Sequence, residues 1–150
     1  MSTHPSLQLV IHVSTDRRNG ASLALAGSRR QSDDARKKLE MLCRYREDYL
    51  AKLNEGTDVV RIANTRAFIA KLDQAIAQQQ RETDACESRS IACVGLVNVE
   101  EKKLRSLETL RDRRALETRR AQNRIEQKRT DEFGARVARA GGATFDYRPA

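Results

Sequence analysis

The side chains able to do covalent or metal chemistry are few in this 150-residue sequence, and they are poorly placed for it. His4 and His12 are its two histidines, and neither stands with a Cys or Ser in an arrangement that would activate a nucleophile. Cys43, Cys86 and Cys93 include no CxxC pair. Cys86 and Cys93 are one heptad apart, which puts both on one helix face but separates them by about 10 Å, too far for one tetrahedral zinc. An odd set of this kind reads as reduced cysteines packed in a helical seam of a cytosolic protein. The glycines at 20, 27, 56, 95, 134, 141 and 142 never approach the phosphate-cradling pattern GxxxxGK followed by Ser or Thr, so any nucleotide must belong to a partner. The expectation is no enzyme, no metal and no cofactor.

Chemistry of another kind, recognition by charge, is well supplied. Lys and Arg number 29 against 21 acids, for a net charge of +8, which suits nucleic acid, an anionic membrane or an acidic protein. Only 39% of residues are apolar, 4% are aromatic and there is no Trp, so a thick packed interior cannot be built. Between Pro5 and Pro149 no residue is an obligatory helix breaker, and the prediction is very long helices around a thin apolar seam. The apolar stretch Leu7–Val13 is interrupted by Gln8 and His12, and no run of 18 apolar residues exists, so neither a signal peptide nor a membrane span is expected.

The apolar period decides between a long helix and a solvated coil. In the first half, alternating steps of four and three select Leu7, Ile11, Ser14, Arg18, Ala21, Leu25, Ser28, Ser32, Ala35, Leu39, Leu42, Arg46, Tyr49 and Leu53. In the second half they select Ile69, Leu72, Ile76, Gln79, Thr83, Cys86, Ser90, Cys93, Val97, Glu100, Leu104, Leu107, Arg111, Arg114, Thr118, Ala121, Ile125 and Lys128. The pattern is that of a two-helix coiled coil, adequate but polar, and its apolar members nearly all precede residue 108. Between the halves lies Asn54–Asp58, where Gly56 can take a left-handed C-cap and Asn54 or Asp58 can bond nearby backbone. Leu7–Val13 alternates like a strand but has no second strand to pair with, so it is read as helix. The fold expected is all-α: an antiparallel two-helix coiled-coil hairpin, with helix 1 over about 6–53, a turn over about 54–60, helix 2 over about 61–140 and a disordered tail at 141–150. Gly20, Gly27 and Gly95 should mark the softest turns, each costing about 1 kcal/mol against Ala.

Folding this hairpin about residues 57 and 58 places residue 6 opposite residue 109. Leu110–Ala140 then has no partner within the chain, an overhanging C-terminal helix of about 45 Å at the standard rise. It carries ten basic residues and five acids, with only sparse apolar positions at Leu110, Leu116, Ile125, Phe133 and Val137. Glu117 with Arg120, Glu126 with Arg129 and Glu132 with Arg136 stand at pairing distance along a helix, so the segment could equally be solubilised by its own ion pairs.

Three segments in order resemble the flagellar export protein FliJ and its type III secretion relatives. They are Gln122–Phe133, Leu39–Tyr49 running on to Leu53-Asn54, and Phe68–Ile76. The resemblance covers residues 5 to about 139. It implies a coiled-coil hairpin similar to the rotor stalk of F-type ATPases, whose protruding end enters the pore of the hexameric export ATPase. It further implies that the protein links this ATPase to the membrane export gate, helps recycle export chaperones and is cytoplasmic, held at the inner membrane of the flagellar base. By that resemblance the ATPase contact falls on Arg124, Gln127, Lys128, Asp131 and Glu132, with Ile125 and Phe133 as apolar anchors. Phe68, Leu72 and Ala75 correspond to the gate-binding stripe; Gln79 follows on that face, where the family usually has His. The same stripe also fits a plain coiled-coil seam, since Leu72 lies in the heptad register. If it faces outward, alanine at Phe68 and Leu72 should barely change the melting temperature.

A basic coiled coil that binds nucleic acid is the rival reading, with Arg111–Arg129 as its basic region. Five acids within the projection and the lack of a stacking aromatic among its arginines weigh against it, and no nucleic-acid partner is expected.

Overall fold

The computed structural model describes residues 5–56 and 58–142, and among them every regular element is helical. Helix α1 spans Pro5–Glu55 and α2 spans Val59–Gly141. Of the tail expected at 141–150, Gly141 instead ends α2, and 143–150, together with His4, lie outside the described residues. Pro5 stands at the first helical position, where a missing N–H costs nothing. The stretch Leu7–Val13 is helical. Within the unit His12–Leu104 the two helices run antiparallel and pack against each other as a hairpin. A second unit comprises Met1–Ile11 and Arg105–Ala150.

Local hydrogen bonds flank the turn on both sides. Gly56 N–H donates to the Leu53 carbonyl at 3.4 Å, continuing the last turn of α1. Asp58 caps α2: its carboxylate accepts from Val60 N–H at 3.1 Å and its carbonyl from Ile62 N–H at 2.9 Å. No glycine among the described residues has positive φ, so the left-handed cap expected at Gly56 does not form. Asp58 satisfies two of the next helix's first donors.

Among the described residues the seam is the only interior. Ala35, Ile69, Leu72, Cys86 and Leu104 are its buried apolar members, joined by buried Ser14, Ser32 and Thr83. All fourteen positions selected by the heptad count in α1 are at least half-buried, and those in α2 stay covered from Ile69 through Arg111. Thr83 directs its hydroxyl to the Gln79 carbonyl one turn back at 2.9 Å, which satisfies it inside its own helix. Arg18 Nε and Glu100 Oε2 are buried without a partner, each costing about 1–3 kcal/mol. That seam level is correspondingly weak.

Candidate functional site

Arg124, Ile125, Gln127, Lys128, Asp131, Glu132 and Phe133 all lie on α2 and all are exposed. They belong to a longer stretch: from Asp112 to Gly142 every described residue is exposed on every side of the helix. Cover therefore stops at Arg111, one turn or less from the position at which an intrachain partner was expected to end. The ion pairs that spacing allowed at Glu117/Arg120, Glu126/Arg129 and Glu132/Arg136 do not form; among the described residues beyond Leu104 the one ion pair is Arg111 with its neighbour Asp112. These are exposed pairs in high dielectric, where side-chain entropy offsets the weak attraction. Asp112 apart, the charges of the segment form no ion pair among the described residues, and Ile125 and Phe133 are exposed, by 52% and 70%.

The second candidate stripe divides between two environments. Leu72 is 8% exposed and belongs to the seam. Gln79 is half-buried and donates its side-chain amide to the Ala35 carbonyl of α1 at 3.2 Å. Phe68, at 41% exposure, and Ala75 stay on the surface. The four positions follow i, i+4, i+7, i+11, but a stripe so spaced straddles a seam and its margin. The outward-facing outcome, with little thermal effect from Leu72→Ala, therefore does not apply to Leu72.

Neighbours of Phe68 come from α1. Its ring lies on that of Tyr49, centroids 4.5 Å apart and planes inclined by 50°, an offset geometry favoured by the ring quadrupoles. Lys52 Nζ stands 5.0 Å from the Tyr49 centroid. Beyond these rings, a cleft of about 590 Å³ opens at the turn, lined by Tyr49, Leu53, Arg61 and Ile62 among others. Tyr49 was legible as a seam position, but its contact with Phe68 depends on which heptads face each other across the hairpin.

Among the described residues, Arg36 with Glu87 and Arg46 with Asp73 pair across the helices. Arg36 Nη2 is 2.7 Å from Glu87, and Arg46 Nε is 2.5 Å from Asp73. Hydrogen bonding and attraction from Glu87 hold the Arg36 pKa above its ordinary value. The three cysteines are free thiols, Cys86 buried and the others half-buried. Among the described residues no group of three His, Cys, Asp or Glu side chains could hold a metal, and His12 stands exposed beside Asp16 at 3.5 Å. No described helix is long and apolar enough to cross a membrane.

The setting comes from the chain's relatives. The profile of one family, described as Flagellar FliJ protein, matches residues 3–143. The chain belongs to the flagellar FliJ family. It is similar to the flagellar FliJ protein of Salmonella typhi, 28% identical over 142 residues, covering 92% of this chain and 97% of that one. The FliJ protein of Escherichia coli K12 is 27% identical over the same lengths. FliJ membership makes this a protein of flagellar biogenesis and export, and the match spans both helices.

Proposed function

We propose that this chain is a non-enzymatic stalk of the flagellar type III export apparatus, whose C-terminal helix inserts into the hexameric export ATPase. The observation that carries the reading is the end of cover at Arg111, with the following 31 described residues exposed all round. A solitary helix in water is marginal and gains most of its stability from packing, so a long uncovered stretch is suited to burial in a second body. Its interspersed Arg, Lys, Asp and Glu can be steered into a charged pore and held in register without a deep apolar pocket. Arg124, Gln127, Lys128, Asp131 and Glu132 supply the polar contacts, and Ile125 and Phe133 the apolar ones.

The hairpin's other margin is the reading's second half. Phe68 and Ala75 present the surface part of a contact with the cytoplasmic portion of the membrane export gate, while Leu72 and Gln79 hold that surface in place from within. Recycling of export chaperones, and a position at the inner membrane beneath the flagellum, complete the proposal. Co-purification of the chain with the export ATPase of its own organism tests it. Retention of the ATPase with stimulated ATP hydrolysis is expected, and its loss on Ile125→Asp with Phe133→Asp. Retention unaffected by that pair of changes would remove the extension from the contact.

A further inference from the structure

The two flanks of the hairpin differ in a way the heptad seam does not require. With Ile11 as a and Ser14 as d in α1, and Ile69 as a and Leu72 as d in α2, the e positions of both helices line one flank and the g positions the other. Both interhelical ion pairs engage e positions: Arg36 and Glu87 are both e, and Asp73 is e against Arg46 in the seam. In the stretch of residues 12–27 and 84–103, the charged residues at e and b are Asp84, Glu87 and Glu101, all acidic, whereas those at g and c are Arg17, Arg89 and Lys103, all basic. Opposite charge is thus segregated to opposite sides of the same short section.

The basic side is also the apolar one. Val13, Leu96 and Val99 lie on it at one level of the hairpin, and all three are exposed, Leu96 by 61%. Between and beside them the surface is small: Gly20, Ala24 and Ala92, each exposed. A Cβ on Gly20 would meet nothing within 4 Å, so packing inside the chain does not require this glycine, although it costs its helix about 1 kcal/mol against Ala. Large anchors on either side of a floor of small residues form a track along which another helix can approach closely.

We propose that this g flank, between residues 13–27 and 85–103, binds an amphipathic helix of another protein whose apolar stripe is bordered by carboxylates. The stripe packs against Leu96, Val99 and Val13, its backbone runs over Gly20 and Ala24, and its carboxylates meet Arg17, Arg89 and Lys103. A second copy of this chain fits less well. A symmetric pair would bring the same three cations face to face, which is repulsive. The acidic flank of a second copy offers one large exposed apolar side chain, Ile91, against three. The site shares no residue with the ATPase-binding extension or with Phe68 and Ala75, so it stands or falls apart from them.

The test uses the full chain and two synthetic helical peptides of about four heptads, both with leucine at a and d, one with Glu and the other with Lys at e and g. The Glu-bordered peptide is expected to bind and the Lys-bordered twin not. Leu96→Asp and Gly20→Leu should each weaken binding roughly tenfold or more. Gly20→Leu should at the same time raise the melting temperature through better helix propensity, which separates blocked docking from failed folding. Ile91→Asp, on the opposite flank, should leave binding unchanged. Equal binding of both peptides, binding of neither, or sensitivity to Ile91→Asp would overturn the proposal. So would self-association in sedimentation that Leu96→Asp abolishes.

Discussion

Gln79 of α2 reaches across the seam and donates its side-chain amide to the backbone carbonyl of Ala35 in α1, at 3.2 Å. A carbonyl has two lone pairs, so this oxygen can accept the bond in addition to its place in the helix ladder. The contact lies near the level at which folding about residues 57 and 58 puts these two positions opposite each other. Gln79 therefore fixes the register of the hairpin at a point where Ala35 and Thr83 leave little apolar bulk to do so.

Gln79→Ala should consequently destabilise the hairpin by about 0.5–1.5 kcal/mol, the net worth of a typical hydrogen bond. Chemical denaturation of the variant against the parent measures it. No change would mean that register is held by the ion pairs alone.

Leu72 and Phe68 should separate cleanly. Leu72→Ala removes buried atoms from the seam and should cost about 2–3 kcal/mol, at the lower end for leucine truncations because the site borders solvent. Phe68→Ala loses only one face of packing against Tyr49 and should cost about 1 kcal/mol. In a binding assay with the cytoplasmic part of the export gate the order reverses, with Phe68→Ala the more damaging per unit of stability lost.

Gly95→Ala should stabilise the chain by about 0.5–1 kcal/mol. Its new methyl would meet nothing within 4 Å, so no strain opposes the gain in helix propensity. A thermal melt reads this directly, and a lowered midpoint would show that the backbone at Gly95 departs from a plain helix in solution.

Removing residues after Arg111 should leave the circular dichroism of His12–Leu104 intact, since every residue removed is exposed wherever it is described. The same truncation should abolish retention of the export ATPase. A salt titration with random duplex DNA completes the comparison: binding at micromolar concentration with a steep salt dependence would instead favour the nucleic-acid reading.

Much of this architecture was legible because a heptad repeat reports one face of a helix, and one face is all a two-helix seam has. Ser14, Arg18 and Ser32 took covered positions despite their polarity because their spacing, not their side chains, assigned them. The end of cover at Arg111 followed from counting residues on either side of the turn. What spacing could not give was the lateral arrangement. Leu72 and Gln79 share an i, i+4, i+7, i+11 line with Phe68 and Ala75, but only the partner helix determines which of the four it covers. Turn chemistry misled at Gly56, which itself has no positive φ, while Asp58 caps the following helix. The projected salt bridges of the extension failed for a different reason: helical spacing brings such charges within reach but does not order long solvated side chains.

No large side chain among the described residues is fully enclosed; each level of the seam has water on both sides. A protein with a central core tends to give way all at once, because every part of it leans on the same interior. Here neighbouring levels lean chiefly on each other, so local fraying at the one bearing Arg18 and Glu100 need not bring down the turn region around Tyr49 and Phe68. Such a molecule can yield in one place while keeping its packing in another.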